Sequence, residues 1–150
     1  MKTLDATSDR ARWMSLLAKA PRNTLMDAAT QYGPLPEFLW MRKPETGLAM
    51  VRARAGGTGM QFNQGEMTIT RCAVRLVSGE TGIAYIAGRD KRHAELAAIF
   101  DALMQSNARN NVRSLVLDKV ERKIAEQRQA ARARAQATKV EFMTMVRGED

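Results

Sequence analysis

Apolar and polar positions change period twice along the chain, which divides it into helical, extended and again helical stretches. From about Arg10 to Ala20, the residues Trp13, Leu16, Leu17 and Ala20 recur at intervals of three and four, the spacing of one helical face. Ser8 or Asp9 is expected to cap this helix and Pro21 to stop it. A second helix is expected from about Thr24 to Tyr32, with Leu25, Ala28 and Ala29 inward and Gly33 as its C-terminal stop. Pro34 and Pro36 then mark a linker.

The middle of the chain reads as sheet. Phe38 to Arg42 is expected as a short strand and Leu48 to Ala55 as a second, set off by the turn sequence Pro44–Glu45–Thr46–Gly47. The Gly-rich loop Gly56–Gly57–Thr58–Gly59 follows. Glu66 to Val77 is rich in threonine and β-branched residues, the composition of a long strand, and Ile83 to Ala87 returns from it across the hairpin loop Ser78–Gly82. Consecutive strands joined by short turns indicate an antiparallel meander of about four strands. The remainder is helical. Asp90 is expected as an N-cap, ahead of a stripe of His93, Leu96, Ala97, Phe100, Leu103 and Met104. Asn107 to Asn111 breaks that helix, and a longer one is expected from about Val112 to Ala137. Leu117, Val120 and Ile124 line one face of its first half, whereas Gln127 to Gln136 has no apolar stripe and either faces water or lies against another chain. The tail Val140 to Arg147 is apolar again and reads as extended. The expected fold is therefore α+β: a meander flanked by N-terminal helices and a helical C-terminal half, in one domain spanning residues 1–150.

Composition narrows the possible chemistry. The single cysteine, Cys72, excludes an internal disulfide framework and an iron–sulfur cluster held by this chain alone. No apolar run approaches the roughly 20 residues of a membrane helix, and the first residues lack an apolar signal core. The cytoplasm is the expected location, with no membrane partner. The ten methionines serve either as ordinary core filler or as adaptable contact surface. A net charge of +8 attracts nucleic acid, phosphorylated metabolites or an acidic partner without choosing among them. The excess is spread along the chain and not gathered in a basic tail: eleven basic and six acidic groups in residues 1–75, thirteen and ten in residues 76–150.

Several clusters are candidates for a site. The loop Arg54 to Gly59 is glycine-rich but lacks the lysine and following helix of a P-loop, so it reads either as a wide hairpin connection or as backbone contact with a ligand or partner. Arg52 and Arg54 share a face of one expected strand, and Arg71 and Arg75 share a face of the next. If those strands pair, four guanidiniums fall on one side of the sheet, either facing water beside scattered glutamates or binding an anion or an acidic partner. Arg89 opens a run of five ionisable side chains that ends at His93, the chain's one histidine. His93 is either a hydrogen-bonded structural residue or a proton carrier, the one weak candidate for catalysis. One histidine and one cysteine fall short of an ordinary metal site, and no cofactor is expected on this chain alone. Cys72 faces the expected core, where a thiol is inert. The sequence has no helix-turn-helix, zinc-finger or RNP-type signature, so nucleic-acid binding rests on net charge alone.

Four spaced segments resemble the PhnG family of the carbon–phosphorus lyase system: RKPETGLAMVRARAGGTG from Arg42, FNQGEMTITRCAVRL from Phe62, GRDKRHAE from Gly88 and FMTMVRG from Phe142. Arg12–Trp13–Met14 with Leu17–Ala18 fits as well. The resemblance runs in order along nearly the whole chain and is weakest over 21–41 and 107–137. It implies a subunit of a hetero-oligomeric core complex with PhnH-, PhnI- and PhnJ-type proteins. With the PhnI and PhnH types and the ATPase-like PhnL, such a subunit takes part in forming α-D-ribose 1-methylphosphonate 5-triphosphate from ATP and methylphosphonate. It supplies no set of catalytic residues to carry over. The chain is accordingly expected to be inactive alone, as a non-catalytic or co-catalytic part of a transferase complex. The alternative expectation is a basic nucleic-acid-binding or stand-alone anion-binding module.

Overall fold

The computed structural model describes residues 3–138, so the Val140–Arg147 tail lies outside the described residues. Two helices come first, α1 (Thr3–Lys19) and α2 (Arg22–Tyr32). Helix α1 begins several residues before the expected caps: no glycine or proline interrupts Thr3–Lys19, so Ser8 and Asp9 are ordinary helical residues. Pro21 separates the two helices, and Gly33 ends α2 at φ 89° while its N–H bonds Ala29 O. That positive φ is a conformation glycine adopts without a Cβ penalty.

The sheet has three strands, β1 (Phe38–Arg54), β2 (Gln61–Leu76) and β3 (Thr81–Ala87), antiparallel in the order β1–β2–β3. The expectation of four strands is corrected here. Phe38–Arg42 and Leu48–Ala55 are halves of one strand, and the supposed turn at Pro44–Gly47 is two shifts of register, between Trp40 and Arg42 and between Arg42 and Glu45. Pro44 has no N–H to give, but β1 is an edge strand, where a proline at a bulge costs no ladder bond. The ladder also reaches further than expected at the other end, where Arg52, Ala53 and Arg54 pair with Asn63, Phe62 and Gln61. The Gly-rich loop is the turn of that long hairpin, and Gly56 and Gly57 take positive φ in it.

Helix α3 (Lys91–Leu103) lies across the sheet. Asp90 caps it as expected, accepting from His93 N at 3.0 Å. The expected stripe is buried, and so are Ala94, Ala98, Ile99, Asp101 and Ala102, because β2 and β3 cover one side of α3 while α1 and α2 cover the other. Small residues permit this closeness. A Cβ on Gly82 of β3 would stand 1.8 Å from Ala98 O, so the helix rests directly on the strand backbone there. Beyond α3, a short α4 (Arg109–Val112), a π-helical turn (Arg113–Leu117) and α5 (Asp118–Ala137) run on from one another. Val112, Val116, Leu117 and Val120 close the core, with Ile124 packed against it, and from Ala125 to Thr138 every residue is exposed. Nothing in the described residues covers this half of α5, the outcome its missing apolar stripe allowed.

Candidate interaction surface

Inside the body, the polar side chains act as fasteners. Asp101 is fully buried and accepts from Trp13 Nε1 at 2.8 Å, from Ile83 N at 2.9 Å and from both Nε and Nη2 of Arg10. One carboxylate thus ties α1, β3 and α3 together, with all the strong donors around it satisfied. The sequence pattern does not reveal it, because a lone aspartate within an apolar helix stretch is the only available signal. His93 does the same work at the other end of α1: its buried Nε2 lies 2.8 Å from Leu17 O. The ring is held by backbone under α1, the geometry of a structural histidine. Cys72 is buried on the core face of β2, and burial pushes its thiol up to about 12, assisted by the Glu95 carboxylate. The thiolate that a nucleophile needs is therefore suppressed at neutral pH.

The four sheet arginines do not form one cluster, which corrects the expected grouping. Arg71 lies opposite Glu45 and Arg75 opposite Leu39, whereas Arg52 and Arg54 pair with Asn63 and Gln61. Eight residues of β2 separate Asn63 from Arg71, about 26 Å of extended chain. Alternation along β1 from Glu45 also places Arg52 and Arg54 on the opposite face from Arg71. Sequence could place each pair on a face of its own strand, but the register that sets the strands against one another depends on where the bulges fall.

Two basic areas result. On the outer face of the sheet, away from α3, Glu45 accepts from Arg71 Nε at 2.7 Å and also pairs with Arg42. These two guanidiniums, Arg42 foremost, hold its carboxyl below the usual carboxylate range. Arg75 stands on the same face and is exposed, with no ion pair among the described residues, so the outer face keeps a surplus of positive charge. Arg89 is exposed in the β3–α3 connection and belongs to neither area.

The second area is a ribbon formed by Gly47–Arg54 and Gln61–Thr68. Strand β3 pairs only with Ile69–Arg75, so the ribbon extends beyond it with two strands. Leu48, Met50, Phe62 and Met67 on this ribbon, and Met60 in its turn, are all among the exposed large apolar side chains, Met60 at 87%. Isolated two-stranded ribbons are marginally stable in water. Leu48 and Met50 stand on one face of this ribbon, and Met67 and Phe62, opposite Ala49 and Ala53, on the other, so it exposes apolar side chains on both faces, as contact surfaces do. The methionines divide: Met104 fills the core and Met14 packs against it, whereas Met50, Met60 and Met67 are exposed.

Among the described residues, no three His, Cys, Asp or Glu side chains converge as metal ligands, and no helix is long and apolar enough to cross a membrane. What the surface offers is apolar contact and positive charge. Residues 8–148 match the model of the phosphonate metabolism protein PhnG family. The chain is also 47% identical to the α-D-ribose 1-methylphosphonate 5-triphosphate synthase subunit PhnG of Rhizobium meliloti (strain 1021), over 99% of this chain and 97% of that protein. A full-length match of this kind, on a fold whose exposed ribbon and basic sheet face are suited to partners, makes this chain a member of the PhnG family.

Proposed function

We propose that this protein is a subunit of the carbon–phosphorus lyase core complex in the cytoplasm, and that it takes part there in forming α-D-ribose 1-methylphosphonate 5-triphosphate from ATP and methylphosphonate. The full-length 47% identity to a subunit of that synthase carries the reading. Its partners are the PhnI-, PhnH- and PhnJ-type subunits and the ATPase-like PhnL protein. The chain contributes shape and contact surface, the chemistry being completed by other subunits. The ribbon with Leu48, Met50 and Phe62 and the exposed half of α5 support this, since both present side chains and backbone that the body leaves uncovered.

Reconstitution tests it. The full set of subunits is expected to make the ribose phosphonate product, the set lacking this chain to make none, and this chain alone to make none. Product formed by the isolated chain would sink the proposal.

Exposed Arg75, on the same sheet face as Arg71, favours a second, co-catalytic reading in which the outer face holds a phosphate group of a shared site. Replacing both by alanine is then expected to abolish turnover in a complex that still assembles. Loss of assembly instead would make them contact residues.

A further inference from the structure

We propose that the free edge of β1 from Gly47 to Arg54 takes up a fourth strand, supplied by another subunit and carrying carboxylates against Arg52 and Arg54. This deepens the subunit reading above and rests on it.

The two halves of the β1 edge differ. The first half is guarded as exposed edges usually are: it holds Arg42, Lys43 and Pro44 and two register shifts. The second half contains no proline and pairs with β2 residue for residue from Glu45 to Val51; its one shift, between Val51 and Arg52, places the extra residue, Gln64, on β2 and leaves the alternation along β1 unbroken.

The direction of its backbone follows from two hydrogen bonds. Gly88 N donates to Thr68 O, so Thr68 turns its backbone towards β3, and its neighbours Met67 and Ile69 turn towards β1. Their partners Ala49 and Gly47 therefore bond β2, and the N–H and C=O groups of Leu48 and Met50 point to the free side. At the far end Ala55 N donates to Met60 O, which by the same alternation turns Ala53 inward and Arg52 and Arg54 outward. Four alternate residues, Leu48, Met50, Arg52 and Arg54, thus offer an outward donor and acceptor each, along about 20 Å of extended chain. That is the template used when a sheet accepts a strand.

The side chains indicate the chemistry of the incoming strand. Leu48, Met50, Arg52 and Arg54 share one face of β1, two apolar and then two cationic. Leu48 and Met50 are 65% and 54% exposed, and neither arginine has an ion pair among the described residues. A strand with apolar residues against the first two and carboxylates against the last two satisfies all four. A second copy of this chain fits worse, because edge-to-edge pairing would gather two Arg52–Arg54 pairs on one ribbon and bring no new carboxylate except Glu66.

Hydrogen exchange decides the matter, measured on this chain alone and within the purified synthase complex. The amides of Leu48, Met50 and Arg52 are expected to slow about tenfold or more on assembly, while those of Ala49 and Val51, already bonded to β2, change less. Met50→Pro removes one outward N–H and spares the β2 ladder, so it is expected to lose assembly, whereas Met50→Thr keeps most of it. Arg52→Glu with Arg54→Glu is expected to weaken association roughly a hundredfold at low salt. An intact complex whose Leu48, Met50 and Arg52 amides exchange as fast as in the free chain overturns the proposal and leaves the subunit reading standing. Protection of those amides in the chain alone, rising with its own concentration, overturns it in favour of a second copy. Failure of the unaltered chain to assemble with the other subunits removes both readings together.

Discussion

The two ends of β2 show what covering a strand does. From Thr70 to Leu76 alternate residues are buried, because α3 lies on one face and β1 and β3 flank both edges. From Gln61 to Met67 every residue is exposed, with β1 on one edge and nothing in the described residues on either face. The covered end contributes Cys72, Val74 and Leu76 to the core, while the uncovered end displays Phe62 and Met67. Burial of a Leu or Phe side chain is worth about 1.5–3 kcal/mol. The body collects that stabilisation on folding, and the ribbon leaves it uncollected in the chain alone. The difference assigns stability to one region and, on the reading proposed above, recognition to the other, and substitutions in each should separate the two.

The largest effect is expected in the body. Asp101→Ala leaves the indole N–H of Trp13, the Ile83 amide and the Arg10 guanidinium without their shared acceptor, and should cost about 3–5 kcal/mol. Urea unfolding of the isolated chain measures it; a loss under about 1 kcal/mol would mean that Asp101 is no fastener.

Cys72 should behave as a sealed thiol. With its pKa raised by burial from about 9 to about 12, it carries roughly a thousandfold less thiolate than a free cysteine at pH 8. Alkylation of the native protein at that pH should be slower by about that factor and become fast after denaturation. The neutral thiol is favoured in the folded state, so this contribution to stability is complete below pH 9 and is lost as pH rises from there towards 12. Rapid labelling of the folded chain would show that the β2 core opens freely.

His93→Ala removes the ring from Leu17 O and should cost about 1–3 kcal/mol. Turnover of the reconstituted complex should persist at temperatures where the variant stays folded. Loss of turnover with stability intact would restore His93 as a proton carrier.

The smallest effect on the isolated chain is expected at the ribbon. Phe62→Ser should change its unfolding free energy by no more than about 0.5 kcal/mol, yet weaken its association with the other subunits. A large loss of stability with unchanged association would erase the contrast between the two ends of β2.

Much of the body is legible in the sequence. The 3–4 spacing marks α1, α2 and α3, Asp90 and Gly33 mark their ends, and the Ser78–Gly82 loop and its return strand are placed to within two residues. Two things are not legible. Pro44 and Gly47 look like a turn to any local reading, but the edge position of β1 lets the chain absorb the proline as a bulge. The four arginines look like one cluster because alternation fixes a face within a strand and says nothing of register between strands.

By itself, the sequence determined most of the helical and extended segments, which side of each is apolar, and that the polar half of α5 has no core to join. These are local properties of spacing and composition. Only the tertiary structure decided that Arg42 and Arg71 share Glu45, that Asp101 joins three elements, and that half of β1 keeps an open edge. Each of these depends on which distant segments meet, and that is set by packing and register across the whole sheet.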